Sequence, residues 1–125
     1  MTQSALLKLL DDFAKAWNRH DTEALLSMMT EDGVFETAAG PEAHGARHAG
    51  RESLSKAFSA VFQNFPDASW NDAVHVVAGD RGFSEWTFRG TDLKGNKVEV
   101  RGVDVFTFRD GRIARKDTFR KNRTQ

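Results

Sequence analysis

Two periodicities divide the chain. From Ser4 to about Asn18, the apolar residues Leu6, Leu9, Leu10, Phe13, Ala14 and Trp17 recur every three or four positions, which puts them on one helix face. Asn18-Arg19-His20 interrupts the pattern, and Asp21 can cap a second, short helix carrying Leu25, Leu26, Met28 and Met29. Glu31-Asp32-Gly33 is expected to turn the chain into a short strand, Val34-Phe35-Glu36-Thr37. Residues 38–50 hold Gly40, Pro41, Gly45 and Gly50 and read as an irregular loop. A third helix is predicted from Arg51, with Leu54, Ala57, Phe58, Val61, Phe62 and Phe65 on its apolar face, ending before Pro66.

From Ala68 onward the period falls to two. Strand-like runs cover about 69–78, 82–91, 97–109 and 112–120, separated by Gly79-Asp80, Lys94-Gly95-Asn96 and Asp110-Gly111. Asp-Gly between two alternating runs is a hairpin signal, so the last two strands should be antiparallel neighbours. The order α-α-β-α-β-β-β-β describes an α+β domain whose helices cover one face of a curved antiparallel sheet. Three helices cannot fill the whole concave side, so a pocket is expected there.

Alternation also chooses which side chains meet inside. On the run 97–109, Val100, Gly102, Asp104, Phe106 and Phe108 share one face, and Glu99, Arg101, Val103, Val105 and Thr107 the other. The first set is the better candidate for the interior, and Asp104 is its one ionisable member. Surrounded by Phe and Val, that carboxyl would be desolvated and its neutral form favoured. Lys116 and Arg120 lie on the following strand, and hairpin parity allows one of them to face the same cavity. If Lys116 pairs with Asp104, the acid stays ionised and serves as a base or an anchor.

A length of 125 residues fits a single domain spanning 1–125. The absence of Cys removes disulfides, thiolate nucleophiles and cysteine metal sites, and a reducing cytoplasm is the expected location. Eighteen basic residues balance eighteen acidic ones, which argues against a nucleic-acid partner, and no apolar run is long enough to span a membrane. The balance is uneven along the chain: residues 109–125 hold seven bases against Asp110 and Asp117. No Ser-His-Asp order, phosphate-binding glycine loop or dinucleotide fingerprint is present, so any chemistry is expected to need no cofactor.

Ten Phe and three Trp supply the aromatic content, and Tyr is absent. Phe13, Trp17, Phe58, Phe62, Trp70, Trp86, Phe88 and Phe106 are candidates to line an apolar cavity that stacks a flat or cyclic small molecule, with Trp86 the first choice. Most such side chains in a small domain are simply core. His44 and His48 are four apart, but the glycines around them oppose the helix a metal pair would need, so no metal site is expected. Their segment instead reads as a surface loop that can cover the cavity mouth. His20 is placed at a helix end and His75 on the outer sheet face.

The runs Trp17-Asn18-Arg19-His20-Asp21-Thr22-Glu23-Ala24-Leu25-Leu26, Gly50-Arg51-Glu52-Ser53-Leu54, Arg89-Gly90-Thr91, and Gly102-Val103-Asp104-Val105-Phe106 followed by Asp110-Gly111-Arg112-Ile113 carry a resemblance. In their order and spacing they resemble the SnoaL-like and ketosteroid-isomerase-like branch of the nuclear transport factor 2-like superfamily. The resemblance implies a cone-shaped, cystatin-like α+β barrel with a deep apolar pocket and a homodimer through the outer sheet face. It also matches Asp104 to the position where ketosteroid isomerases hold a protonated acid that donates to a developing enolate. Related cyclases use a strand Asp near there for proton transfer.

Two departures oppose the steroid reaction. The general-base position falls on Thr37, and the position of a hydrogen-bonding Tyr falls on Phe13. Asp92 stands where several SnoaL-like sequences have His, and Arg89, Arg101 and Asp72 have no spacing that fixes an epoxide-hydrolase site. With these departures, the resemblance implies an isomerase-type or cyclase-type lyase acting by acid–base catalysis, an isomerisation, cyclisation or hydration of a small hydrophobic carbonyl compound. Its sites would be Asp104 with Phe13, Trp17, Thr37, Phe58, Phe62, Trp70, Trp86, Phe88, Phe106 and Lys116. The alternative is a non-catalytic ligand-binding or dimerisation domain of the same fold.

Overall fold

Thr2 starts the first helix: its hydroxyl accepts the Ala5 N–H at 3.0 Å and satisfies one of the donors that a helix N-terminus leaves open. The computed structural model describes residues 1–124. Helix α1 (Gln3–Asn18) is followed by α2 (Thr22–Ser27), β1 (Met29–Glu36), β2 (Arg47–Ala49) and α3 (Arg51–Asn64). The C-terminal half is β3 (Ser69–Ala78), β4 (Arg81–Thr91), β5 (Lys97–Arg109) and β6 (Arg112–Arg120). Asp21 caps α2 as expected, accepting the Ala24 N–H at 3.1 Å.

The strands form one curved, open sheet in the order β2-β1-β6-β5-β4-β3, with helices on its concave side. Every neighbouring pair is antiparallel except β1 and β6, which run parallel. At the β5–β6 hairpin, Asp110 and Gly111 both take positive φ, 53° and 73°, the geometry a two-residue turn with the native strand twist requires.

The first half of the chain departs from expectation in two places. Glu31-Asp32-Gly33 lies within β1 and not in a turn, because the ladder to β6 slips between Met29 and Val34 and absorbs the irregularity. The segment 38–50 is not wholly irregular, since Arg47–Ala49 pairs antiparallel with Val34–Glu36. Three residues are too few for a period to show.

The core centres on Trp17. Its indole meets Phe13 and Phe58 edge to face, at centroid distances of 6.2 and 4.9 Å, and lies at 5.3 Å from Phe62 and 5.0 Å from Trp70. Leu10, Phe13, Leu25, Leu54, Phe58, Phe106 and Ile113 are almost completely withdrawn from solvent. Each such side chain contributes roughly 1.5–3 kcal/mol on burial.

Asn18 joins this core to the sheet. Its amide donates to the Trp70 carbonyl at 3.0 Å and accepts the Trp70 N–H at 2.8 Å, so the end of α1 replaces a strand partner for the start of β3. His20, at a helix end as expected, has φ 56° and stacks on Phe62 at 4.4 Å. His75 departs from expectation and faces inward beneath α1. Asp72 adopts φ 58° and the β3–β4 register shifts between Asn71 and Val74, so the alternation reverses partway along β3.

Candidate functional site

Asp104 lies mid-strand on β5, opposite Ser84 of β4 and Thr118 of β6. Its side chain points inward and is buried. Oδ1 accepts from Lys116 Nζ at 3.0 Å and from the Thr118 hydroxyl at 2.5 Å, while Oδ2 accepts from Trp86 Nε1 at 2.9 Å. Thr118 in turn accepts from Lys116 Nζ at 2.8 Å, closing a triangle. This settles which basic side chain meets the acid. Lys116 sits next to it, buried, and the neutral-acid role expected from the surrounding Phe and Val gives way to an ion pair.

Burying two charges is costly unless their remaining bonds are satisfied. Here two further donors serve the carboxylate, and the ammonium rests 4.4 Å from the Phe35 ring centroid and 4.9 Å from that of Trp17. Two donors beside the pair stay open. Lys116 carries three N–H bonds, of which two have polar partners. The buried Trp17 Nε1 has none.

Two cavities adjoin this cluster. The inner one, about 30 Å³, lies between α1 and the sheet against Asp104, Lys116, Ser84 and His75, and is of a size to hold one water. The outer one, about 390 Å³, opens between α3, the segment after β1 and strands β4 and β6. Trp17, Trp70, Trp86 and Lys116 border both. Of the other sequence-derived candidates, Thr37 and Phe88 line the outer cavity, and Phe13 and Phe106 the inner one. Phe58 and Phe62 pack behind Trp17 as core and reach neither wall.

The loop segment contributes through His48, which faces the outer cavity beside Phe35. Thr37 is also a structural clasp: its hydroxyl donates to the Ala39 carbonyl at 2.7 Å and accepts the Ala46 N–H at 2.9 Å. Arg120 borders the outer cavity as well, with its guanidinium 5.5 Å from the Phe88 ring centroid. Thus Lys116, Thr118 and Arg120 all point inward from β6. Strand parity carries that signal once the register of one of them is known.

Ser84 and His75 form a second polar pair that the sequence reading missed. Their Oγ and Nδ1 are 2.6 Å apart, and Asp11 of α1 lies 4.0 Å from the other ring nitrogen. Burial pulls His75 below the usual imidazole range, against the opposing pull of Asp11. On the outer face, burial disfavours ionisation of the fully buried Glu36. Arg47 at 2.7 Å and Arg115, bonded through Nε at 2.6 Å, outweigh it and hold the carboxyl below its usual range. No group of three or more His, Asp or Glu side chains converges on a metal-sized site among the described residues.

A family model described as the SnoaL-like domain matches residues 10–116. Among solved structures, an NTF2-like protein of unknown function from Mesorhizobium loti shares 30% identity at a TM-score of 0.78, over 96% of this chain and 93% of that one. A candidate polyketide cyclase from Xanthomonas campestris pv. campestris superposes with a TM-score of 0.84 at 23% identity, over 96% and 92% of the two chains. TerC, co-crystallised with polyporic acid, superposes with a TM-score of 0.79 at 20% identity, over 94% and 92%. No curated protein sequence gives a significant match. At 23% and 20% identity, the likeness to the last two structures speaks for the fold.

Proposed function

The chain belongs to the SnoaL-like domain family, and from that premise we propose that it binds a small hydrophobic carbonyl compound in the outer cavity and carries out acid–base chemistry on it, an isomerisation, cyclisation or hydration. The supporting observation is Lys116, which stands with Trp17 and Trp86 in the wall of an aromatic cavity of about 390 Å³ and is paired from behind with Asp104 on the inner cavity. The ring of the ligand would stack among the tryptophans, and its carbonyl oxygen would accept the open N–H of Lys116. A fixed ammonium in the cavity wall lowers the energy of the negative charge that develops on that oxygen when a neighbouring C–H gives up its proton. The proton passes to a water molecule entering from the mouth, which returns a proton to carbon in the reverse step. Asp104 and Thr118 hold the ammonium in place, so Asp104 works as the anchor of the pair. Trp86 fixes the second carboxylate oxygen and stops the acid from rotating away.

Chemistry on this fold needs no assistance from Thr37 or Phe13 in such a scheme, because the carbonyl is polarised from β6 and not from β1 or α1. TerC has the same fold and was co-crystallised with polyporic acid, which gives precedent for a small organic molecule as the partner of such a domain.

Proton–deuterium exchange tests the reading. In D2O, the wild-type protein is expected to accelerate exchange at the α-carbon of 2-tetralone, followed by NMR, and Lys116→Met and Asp104→Asn are expected to lose that acceleration. Exchange no faster with wild type than with both variants removes the catalytic reading. A second reading, binding without reaction, draws support from the fact that both Asp104 oxygens already hold donors. It predicts saturable 2-tetralone binding that Trp86→Ala weakens and that leaves exchange unaccelerated.

A further inference from the structure

The wall of the outer cavity is chemically one-sided. Lys116, Arg120 and His48 border it, and no Asp or Glu does. Lys116 is already neutralised from behind by Asp104, which faces the inner cavity. Arg120 makes no ion pair and no side-chain hydrogen bond among the described residues, although its guanidinium is held over the Phe88 ring. A guanidinium parked beside an apolar wall without an anion is an incomplete arrangement, because its planar fork of N–H donors matches a carboxylate in two bonds.

Arg120 and Lys116 are four residues apart on one strand, which is about 13 Å of β-strand. A ligand that reaches Lys116 with one oxygen therefore passes Arg120 at the mouth with its other end. A ring held between them would meet the faces of Trp86 and Phe88, which line the same cavity.

We propose that the outer cavity selects organic anions: a flat or cyclic body that enters among the tryptophans and carries a carboxylate which Arg120 clamps at the mouth. This deepens the reading above and rests on it, since it requires that the cavity hold a ring-bearing ligand. It adds the charge of that ligand and the residue that reads it. Arg120 acts here as a specificity residue, through affinity for the acid over its neutral analogue, and takes no part in the polarisation at Lys116.

A matched pair of probes tests it: trans-cinnamate and trans-cinnamamide, of nearly equal shape and opposite in carrying charge, measured by isothermal titration calorimetry. Wild type is expected to bind cinnamate at least tenfold more tightly than cinnamamide. Arg120→Met should erase the preference while leaving the cinnamamide Kd within twofold, and Arg120→Lys should keep part of it. Arg120 is exposed on its strand end, so neither substitution threatens the fold, and unchanged circular dichroism checks this. Equal affinities in wild type, or a preference that survives Arg120→Met, overturns the inference alone and leaves a neutral-ligand cavity. Absence of binding by both probes overturns the inference together with the reading beneath it.

Discussion

Trp86 and Gly102 face each other across the β4–β5 ladder, and the indole occupies the space a side chain at 102 would need. A Cβ built on Gly102 overlaps the far edge of the Trp86 ring and lies 2.7 Å from the Phe119 carbonyl oxygen. The absence of a side chain thus lets the indole lie flat and aim Nε1 at Asp104. Gly102→Ala should cost about 1–3 kcal/mol, as overpacking does. It should also move the Trp86 emission maximum, because the N–H loses its carboxylate. Chemical denaturation with fluorescence detection measures both, and a variant as stable as wild type would mean the indole has room to shift.

The Asp104–Lys116 pair should show strong non-additivity. Lys116→Met alone leaves a buried carboxylate with only Trp86 and Thr118, and removing one partner of such a pair costs about 3–5 kcal/mol. The double variant Asp104→Leu/Lys116→Met removes both charges and should recover most of that loss. A double variant less stable than either single one refutes the assignment of the pair as a mutually compensating unit.

His75 gives the inner cavity a pH dependence. Its folded-state value lies below the ordinary one, about 6.5, because of burial. The unfolded chain therefore binds the proton more readily in that window, so stability is full above about pH 6.5 and falls as the pH drops toward the folded value. His75→Gln should flatten this part of the profile. Urea midpoints measured between pH 5 and 8 check it, and an unchanged slope in the variant assigns the dependence elsewhere.

Glu36 acts at lower pH. Its carboxyl is held below the usual carboxylate range by Arg47 and Arg115 against the cost of burial, so its contribution is present above that range and lost as the pH falls through the folded value. Glu36→Gln should cost about 1–3 kcal/mol at neutral pH and shrink to a smaller difference in acid. Thermal unfolding at pH 7 and pH 3 measures the two arms.

The last four strands were legible because punctuation and period agree there. Gly79-Asp80, Lys94-Gly95-Asn96 and Asp110-Gly111 mark the turns, and the alternation of Val100, Asp104, Phe106 and Phe108 survives without interruption on the inward face. Position 75 was misread for a definite reason: counting from Trp70 by twos places His75 outside, and the Asp72 bulge inverts that count without a glycine to announce it. Ser84 has the same parity as Trp86 on β4, whereas its partner His75 lies beyond the bulge. The choice between Lys116 and Arg120 was open for another reason. Both have the same parity and stand two residues either side of Thr118, which lies opposite Asp104, so register leaves them equivalent. The side chains decide it, Lys116 turning to the acid and Arg120 lying over Phe88. The resemblance to the SnoaL-like family supplied the architecture, while the state of Asp104 depended on a neighbour twelve residues away.

The parallel pairing of β1 with β6 sets the order in which the protein can be made. Among the described residues, 29–36 have only the three-residue β2 as a strand partner close in sequence, and their long side waits for residues 112–120. Ile113 seals that late junction, its N–H donating to the Met28 carbonyl at 2.9 Å while its side chain completes the core under α2. The nascent chain therefore carries an unpaired strand edge until residues 112–120 have been made. The sheet is joined there by closure over its longest sequence separation, the kind of contact that slows folding.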